Sequence, residues 1–152
     1  MYFPEINNFF DFIEKKYSIE VIIALHPRAN YIQSLKNFNG RKLISSKTNI
    51  LVKDATFIIT HYSTAINFCV LIEKEFMLIK TNQLWESKSA PIMKFISNYF
   101  NKNILNISNK PIAFNENFLN VDIGCYKKYK YDYIKMNHDD SPFWEIALKN
   151  MN

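Results

Sequence analysis

The chain has 152 residues, 48% hydrophobic and 16% aromatic, with a formal net charge of +5. That length suits one ordinary domain with a buried core, and the composition reads as globular rather than disordered. Two glycines and five prolines also speak against a loop-dominated all-β fold. The modest basic excess fits an anionic ligand, a membrane headgroup surface or nucleic acid, and selects none of them.

In chain order, Pro4 to Tyr17 carries apolar residues at Ile6, Phe9, Phe10, Ile13 and Tyr17. This spacing predicts a helix, with Pro4 tolerated in its first turn. Glu20 to Leu25 is a short, nearly continuous apolar run, the pattern of a strand covered on both faces. It ends at His26-Pro27-Arg28. An irregular connection leads to a short strand at Arg41–Ile44, and a helix is predicted over Lys47–Asp54. Thr56–Thr60 reads as a second buried strand. His61-Tyr62 then links it to Ser63-Thr64, which opens a helix from Ala65 to about Glu73. A strand at Phe76–Ile79, a helix over Ala90–Phe100 and a strand at Ile104–Ile107 continue the alternation. A Tyr/Lys-rich segment (Tyr126–Lys135) and a terminal amphipathic helix (Pro142–Met151) close the chain. No repeat or linker separates two domains, so residues 1–152 are predicted to form one unit.

Short apolar strands alternating with helices predict an α/β fold, a Rossmann-like parallel sheet flanked by helices. Ligands of such sheets bind beyond the carboxyl ends of the strands. Two of these tips carry a histidine followed by groups suited to phosphate. At the first, His26 can donate to a phosphate oxygen and Arg28 offers a bidentate fork. At the second, Ser63 is placed as a helix N-cap, and with Thr64 and the amides behind it could grip an anion. The plainer alternatives are a capping serine and a strand-end histidine bonded to backbone beside a solvated arginine.

Cys69 and Cys125 have no CxxC spacing, so a disulfide framework is not expected and a reducing compartment is. Cys69, in the apolar run Ile66–Leu71, reads as a buried thiol. No signal peptide is visible at Met1–Glu5, and no apolar stretch nears the roughly 20 residues of a membrane span. A cytoplasmic location is the expectation. The three histidines (His26, His61, His138) have no metal-ligand spacing, and neither a Gly-rich phosphate loop nor a GxSxG elbow is present. The segment Tyr126–Tyr133 reads either as a platform for single-stranded nucleic acid or as an amphipathic helix burying tyrosines under solvated lysines. The helix is the expectation, without a nucleic-acid partner.

The string Val21–Tyr31 with its HP pair, then Lys47-Thr48, Leu51-Val52-Lys53 and His61–Ile66, resembles bacterial surface-carbohydrate (capsular polysaccharide) biosynthesis proteins. These are similar to GT-B glycosyltransferases. Phe3–Asn7 and Asp140–Trp144 extend the likeness over most of the chain. The resemblance implies a single GT-B half that binds a nucleotide-activated sugar, CMP- or CDP-linked, with His26, Ser63 and Thr64 on the donor phosphates. Arg28 joins them by charge and position, with His61 and Lys47 as secondary candidates. It also implies that the N-terminal half, normally the source of the acceptor site and the general base, is absent here or supplied by a partner subunit. The expectation is therefore a glycosyltransferase-like chain that is incomplete as an independent catalyst. Asp54 reads as a helix end and Asp139-Asp140 as a capping cluster, so the catalytic base is unassigned. No DxD-like pair marks a metal site, and neither metal nor cofactor is expected. Peripheral association with the inner membrane face is a secondary expectation. The alternative is a non-catalytic or degenerate α/β module that associates with a partner protein.

Overall fold

Ile6, Phe9, Phe10 and Ile13 wind one buried stripe along the first helix, α1 (Tyr2–Tyr17). The computed structural model describes residues 2–135. The predicted helix at Pro142–Met151, His138 and the Asp139-Asp140 cluster lie outside the described residues.

After α1 come β1 (Ile23–Leu25), α2 (Tyr31–Asn37), β2 (Leu43–Ser45), α3 (Thr48–Asp54) and β3 (Ile58–Thr60). They are followed by α4 (Ile66–Leu71), β4 (Phe76–Lys80), α5 (Asn82–Trp85), α6 (Ala90–Tyr99) and β5 (Ile104–Asn106). A 3-10 turn at Glu116–Leu119 precedes α7 (Ile123–Tyr129) and a π-helical turn at Lys130–Ile134. All strand pairings are parallel. β1 pairs with β2, while β3, β4 and β5 form a second sheet with β4 in the middle. The fold is mixed α/β, two small parallel sheets flanked by helices, consistent with a Rossmann-like arrangement.

Packing follows from strand alternation. Phe76 to Ile79 of β4 are all buried. Met77 and Ile79 join α1, Leu105 and Leu119 in one core, while Phe76 and Leu78 join residues of α3, α4, α6 and α7 in another. Side chains of this kind each contribute about 1.5–3 kcal/mol on full burial, so β4 is the structural keel. In the second core Tyr126 stacks on Phe76, 5.9 Å between centroids, and donates its hydroxyl to the Lys74 carbonyl at 2.9 Å. The Tyr/Lys segment thus buries Tyr126 while Lys127 and Lys128 stay exposed.

Several boundaries differ from the sequence reading, for local reasons. The predicted single sheet is split, because β1 and β3 are not hydrogen-bonded to each other. The strand predicted from Glu20 begins only at Ile23; the Val21 N–H is instead held by the Glu14 carboxylate at 2.9 Å. The supposed irregular connection contains α2, capped by the Asn30 side chain accepting from the Gln33 N–H. α4 ends at Leu71 rather than near Glu73. Glu73 adopts a left-handed conformation (φ 54), and the Lys74 N–H closes back onto the Cys69 carbonyl at 2.8 Å. Among the described residues, no helix is long and apolar enough to cross a membrane.

Candidate functional site

Where β1 and β3 fail to pair, they leave a cavity of about 540 Å³. Its walls are largely apolar, with Ile13 of α1, Ile23 and Ala24 of β1 and Ile59 of β3 among them. Thr60, His61, Tyr62 and Ser63 supply polar groups where β3 ends, and Glu20, Thr48, Asp54 and Thr56 supply others, before β1, in α3 and before β3. A mostly apolar recess of this volume with a few polar groups has the anatomy of a small-molecule site. It runs along the gap between the two sheets, from residues ahead of β1 and β3 to the carboxyl end of β3, and only that end coincides with the position where ligands of such folds bind.

Of the predicted residues, His61 and Ser63 line this cavity, whereas His26, Arg28, Lys47 and Thr64 do not. The β1 tip is a solvent-exposed turn. There the Ala29 N–H reaches the His26 carbonyl at 2.9 Å, and the Arg28 N–H donates to His26 Nδ1 at 3.1 Å. Accepting at Nδ1 places the His26 proton on Nε2, an available donor. The Arg28 side chain is exposed. Lys47 is exposed and stands just before α3, as its N-cap without a side-chain capping bond.

The predicted N-cap at Ser63 is corrected by the structure. The cap of α4 is Ala65, and the Ser63 hydroxyl instead accepts from the Ala65 N–H at 3.1 Å, closing a tight turn ahead of the helix. The Ile66 and Asn67 amides return to the Ser63 and Thr64 carbonyls, so these N–H groups are already used. The Ser63 and Thr64 hydroxyl protons, both on exposed residues, are what this turn offers an anion.

His61 has a different duty. Its Nδ1 lies 2.8 Å from the Ile79 carbonyl and its Nε2 2.8 Å from the Tyr2 hydroxyl. A carbonyl only accepts, so Nδ1 carries the proton and Nε2 accepts from Tyr2. Burial pushes the His61 pKa down, partly offset by the bond to Ile79. Burial likewise raises the Tyr2 phenol to about 12, keeping it a donor. His61 is thus a neutral tether between α1, β3 and β4, with both nitrogens committed.

A pH dependence follows. Above the ordinary histidine value of about 6.5 both folded and unfolded chains hold His61 neutral. As pH falls, the unfolded chain takes up the proton first, and stability is lost until pH passes the lower folded-state pKa. His61→Gln is expected to flatten the fall of the urea midpoint between pH 7 and pH 5. An unchanged slope would assign the effect to other groups.

The sequence reading missed a cationic cluster at the end of β4. The Lys80 Nζ sits 3.6 Å from the centre of the Trp85 ring, and the Lys94 Nζ 5.1 Å from the same ring. The Ser89 hydroxyl donates to the Tyr62 hydroxyl at 2.8 Å, joining the β3 tip to the start of α6. Applying the strand-tip rule to β4 as well would have singled out Lys80. Lys102 is a second perturbed amine, but a structural one. Burial lowers its pKa to about 8, and its ammonium donates to the Asn120 carbonyl above the Phe76 ring. Among the described residues, no group of three or more His, Cys, Asp or Glu side chains is placed to hold a metal ion.

Comparison with protein-family models, with curated proteins and with solved structures finds no match to this chain.

Proposed function

We propose that this chain binds a nucleotide-activated sugar, CMP- or CDP-linked, as the donor-binding half of a GT-B-type glycosyltransferase for bacterial surface or capsular polysaccharide. One observation carries the reading: a cavity between β1 and β3 that ends at the hydroxyl-bearing turn of Ser63. The nucleoside would occupy the apolar recess, with its phosphates at the strand tips. There Ser63 and Thr64 donate hydroxyl protons, His26 donates from Nε2, and Arg28 swings in from solvent as a bidentate partner. Cationic and hydrogen-bonding groups placed there stabilise the negative charge that builds on the leaving nucleotide. The acceptor site and the base that deprotonates the acceptor hydroxyl would come from a second α/β half, in the same polypeptide or on a partner subunit. Work on the inner membrane face, where surface polysaccharide is assembled, fits the same role.

Calorimetric titration with CMP and CDP tests this. The expected result is binding in the micromolar-to-millimolar range, weakened about tenfold by Ser63→Ala or His26→Ala, the scale of one charge-assisted hydrogen bond. Heats no different from buffer dilution would remove the proposal.

A further inference from the structure

We infer that Lys80 and Lys94, gathered on Trp85 at the carboxyl end of β4, form a binding site for a phosphoryl anion. The site uses none of the donor-phosphate residues above and stands whether or not a nucleotide binds.

Lys80 is the last residue of β4. By strand alternation it projects to the same face as Phe76 and Leu78, the face covered by α4 and α6. Trp85 ends α5, and Lys94 comes from α6. Three separate elements therefore bring two ammonium groups to one indole ring. Each is attracted to the ring's electron-rich face, but they repel each other. Among the described residues neither lysine forms an ion pair with any carboxylate, Glu86 beside Trp85 included. Glu5, at the same edge of the sheet, is engaged by the Ser108 hydroxyl at 3.0 Å. Burial and the neighbouring Lys94 hold the Lys80 ammonium below the usual lysine range, as befits a cation short of a counter-charge. An anion within reach of both ammonium groups would offset their repulsion.

The surroundings favour phosphate. Two point charges on flexible stems match a dianion better than a single carboxylate. Ser89 directly precedes the ten-residue α6, so the positive end of that helix dipole adds to the local potential.

The test uses the full chain and two probes. Calorimetry with pyrophosphate reads a soluble phosphoryl ligand. Co-sedimentation with phosphatidylcholine vesicles, with and without phosphatidic acid, reads a headgroup. Binding to either probe is expected to weaken about tenfold in Lys80→Met, which keeps the apolar stem over Trp85, and in Lys94→Gln. Lys15→Gln on the exposed side of α1 is expected to match the parent protein. Lys94 is itself exposed, so its variant keeps the test decisive should Lys80→Met fold poorly. Binding of neither probe, or an equal loss in Lys15→Gln, would overturn the assignment.

Discussion

Arg41→Met is expected to lower the stability of the protein by about 2 kcal/mol, the scale of losing hydrogen bonds to charged groups that are partly open to solvent. The Arg41 side chain is 9% exposed, and those of its partners Glu14 and Asp11 are 27% and 63% exposed. Its Nε and one terminal nitrogen hold the two Glu14 oxygens at 3.2 and 2.8 Å, the other terminal nitrogen donates to Asn7 Oδ1 at 3.1 Å, and Asp11 is bound as well. The guanidinium also lies over the Phe10 ring. Methionine would cover the ring but leave Glu14 without its cation and Asn7 Oδ1 without its donor. The β1–β2 pair has no hydrogen bonds to the other sheet. Arg41, through Glu14 and Val21, clasps it to α1. Lysine at this position would keep the charge but lose the fork, and is expected to restore less than half of the loss.

The pH dependence has the opposite chemistry to that of His61 but the same sign. Hydrogen bonding from Arg41 holds the Glu14 carboxyl below its usual value, with the Val21 N–H adding to it against burial. The stabilisation is complete above the ordinary carboxylate range and is lost as pH falls through the lowered value. In Arg41→Met this part of the acid sensitivity should be largely absent. Urea melts of both proteins from pH 7 to pH 3 check it; parallel curves would show that the clasp contributes little.

The second large effect concerns the cavity. Ala24→Phe is expected to abolish detectable nucleotide binding, a loss of at least about thirtyfold or 2 kcal/mol. Ala24 lines the gap between β1 and β3, and its small side chain is exposed there. An aromatic residue suits a strand and would fill space that no side chain of the protein occupies, so the urea midpoint should hold or rise. Undiminished CDP binding in this variant would place the ligand elsewhere.

How far the sequence carried depends on where burial was local. β3 and β4 were legible because Thr56–Thr60 and Phe76–Ile79 are short apolar runs, and β4 is buried from Phe76 to Ile79. The start of β1 was not, since Val21 and Ile22 have the composition of a strand but give up pairing at the gap. α2 escaped although Ile32, Leu35 and Phe38 follow helical spacing and Asn30 is placed to cap it; the stripe is short, and none of the helix's residues is buried. The tip rule drew attention to His61 and Ser63, both of which line the cavity. It could not foresee that His61 would be claimed by Tyr2, 59 positions earlier. Nor could it foresee that Ser63 would close a turn rather than cap the helix. Lys80, Trp85 and Lys94 meet only because α5 and α6 fold back over the end of β4, a contact with no signature in spacing.

An amide NMR titration of the full chain with CDP tests nucleotide binding at the gap most directly. Saturable shifts are expected at residues 60–66 and 22–30, the two sides of the gap, with α7 unmoved. Shifts confined to other elements, or a spectrum indifferent to the nucleotide, would contradict it.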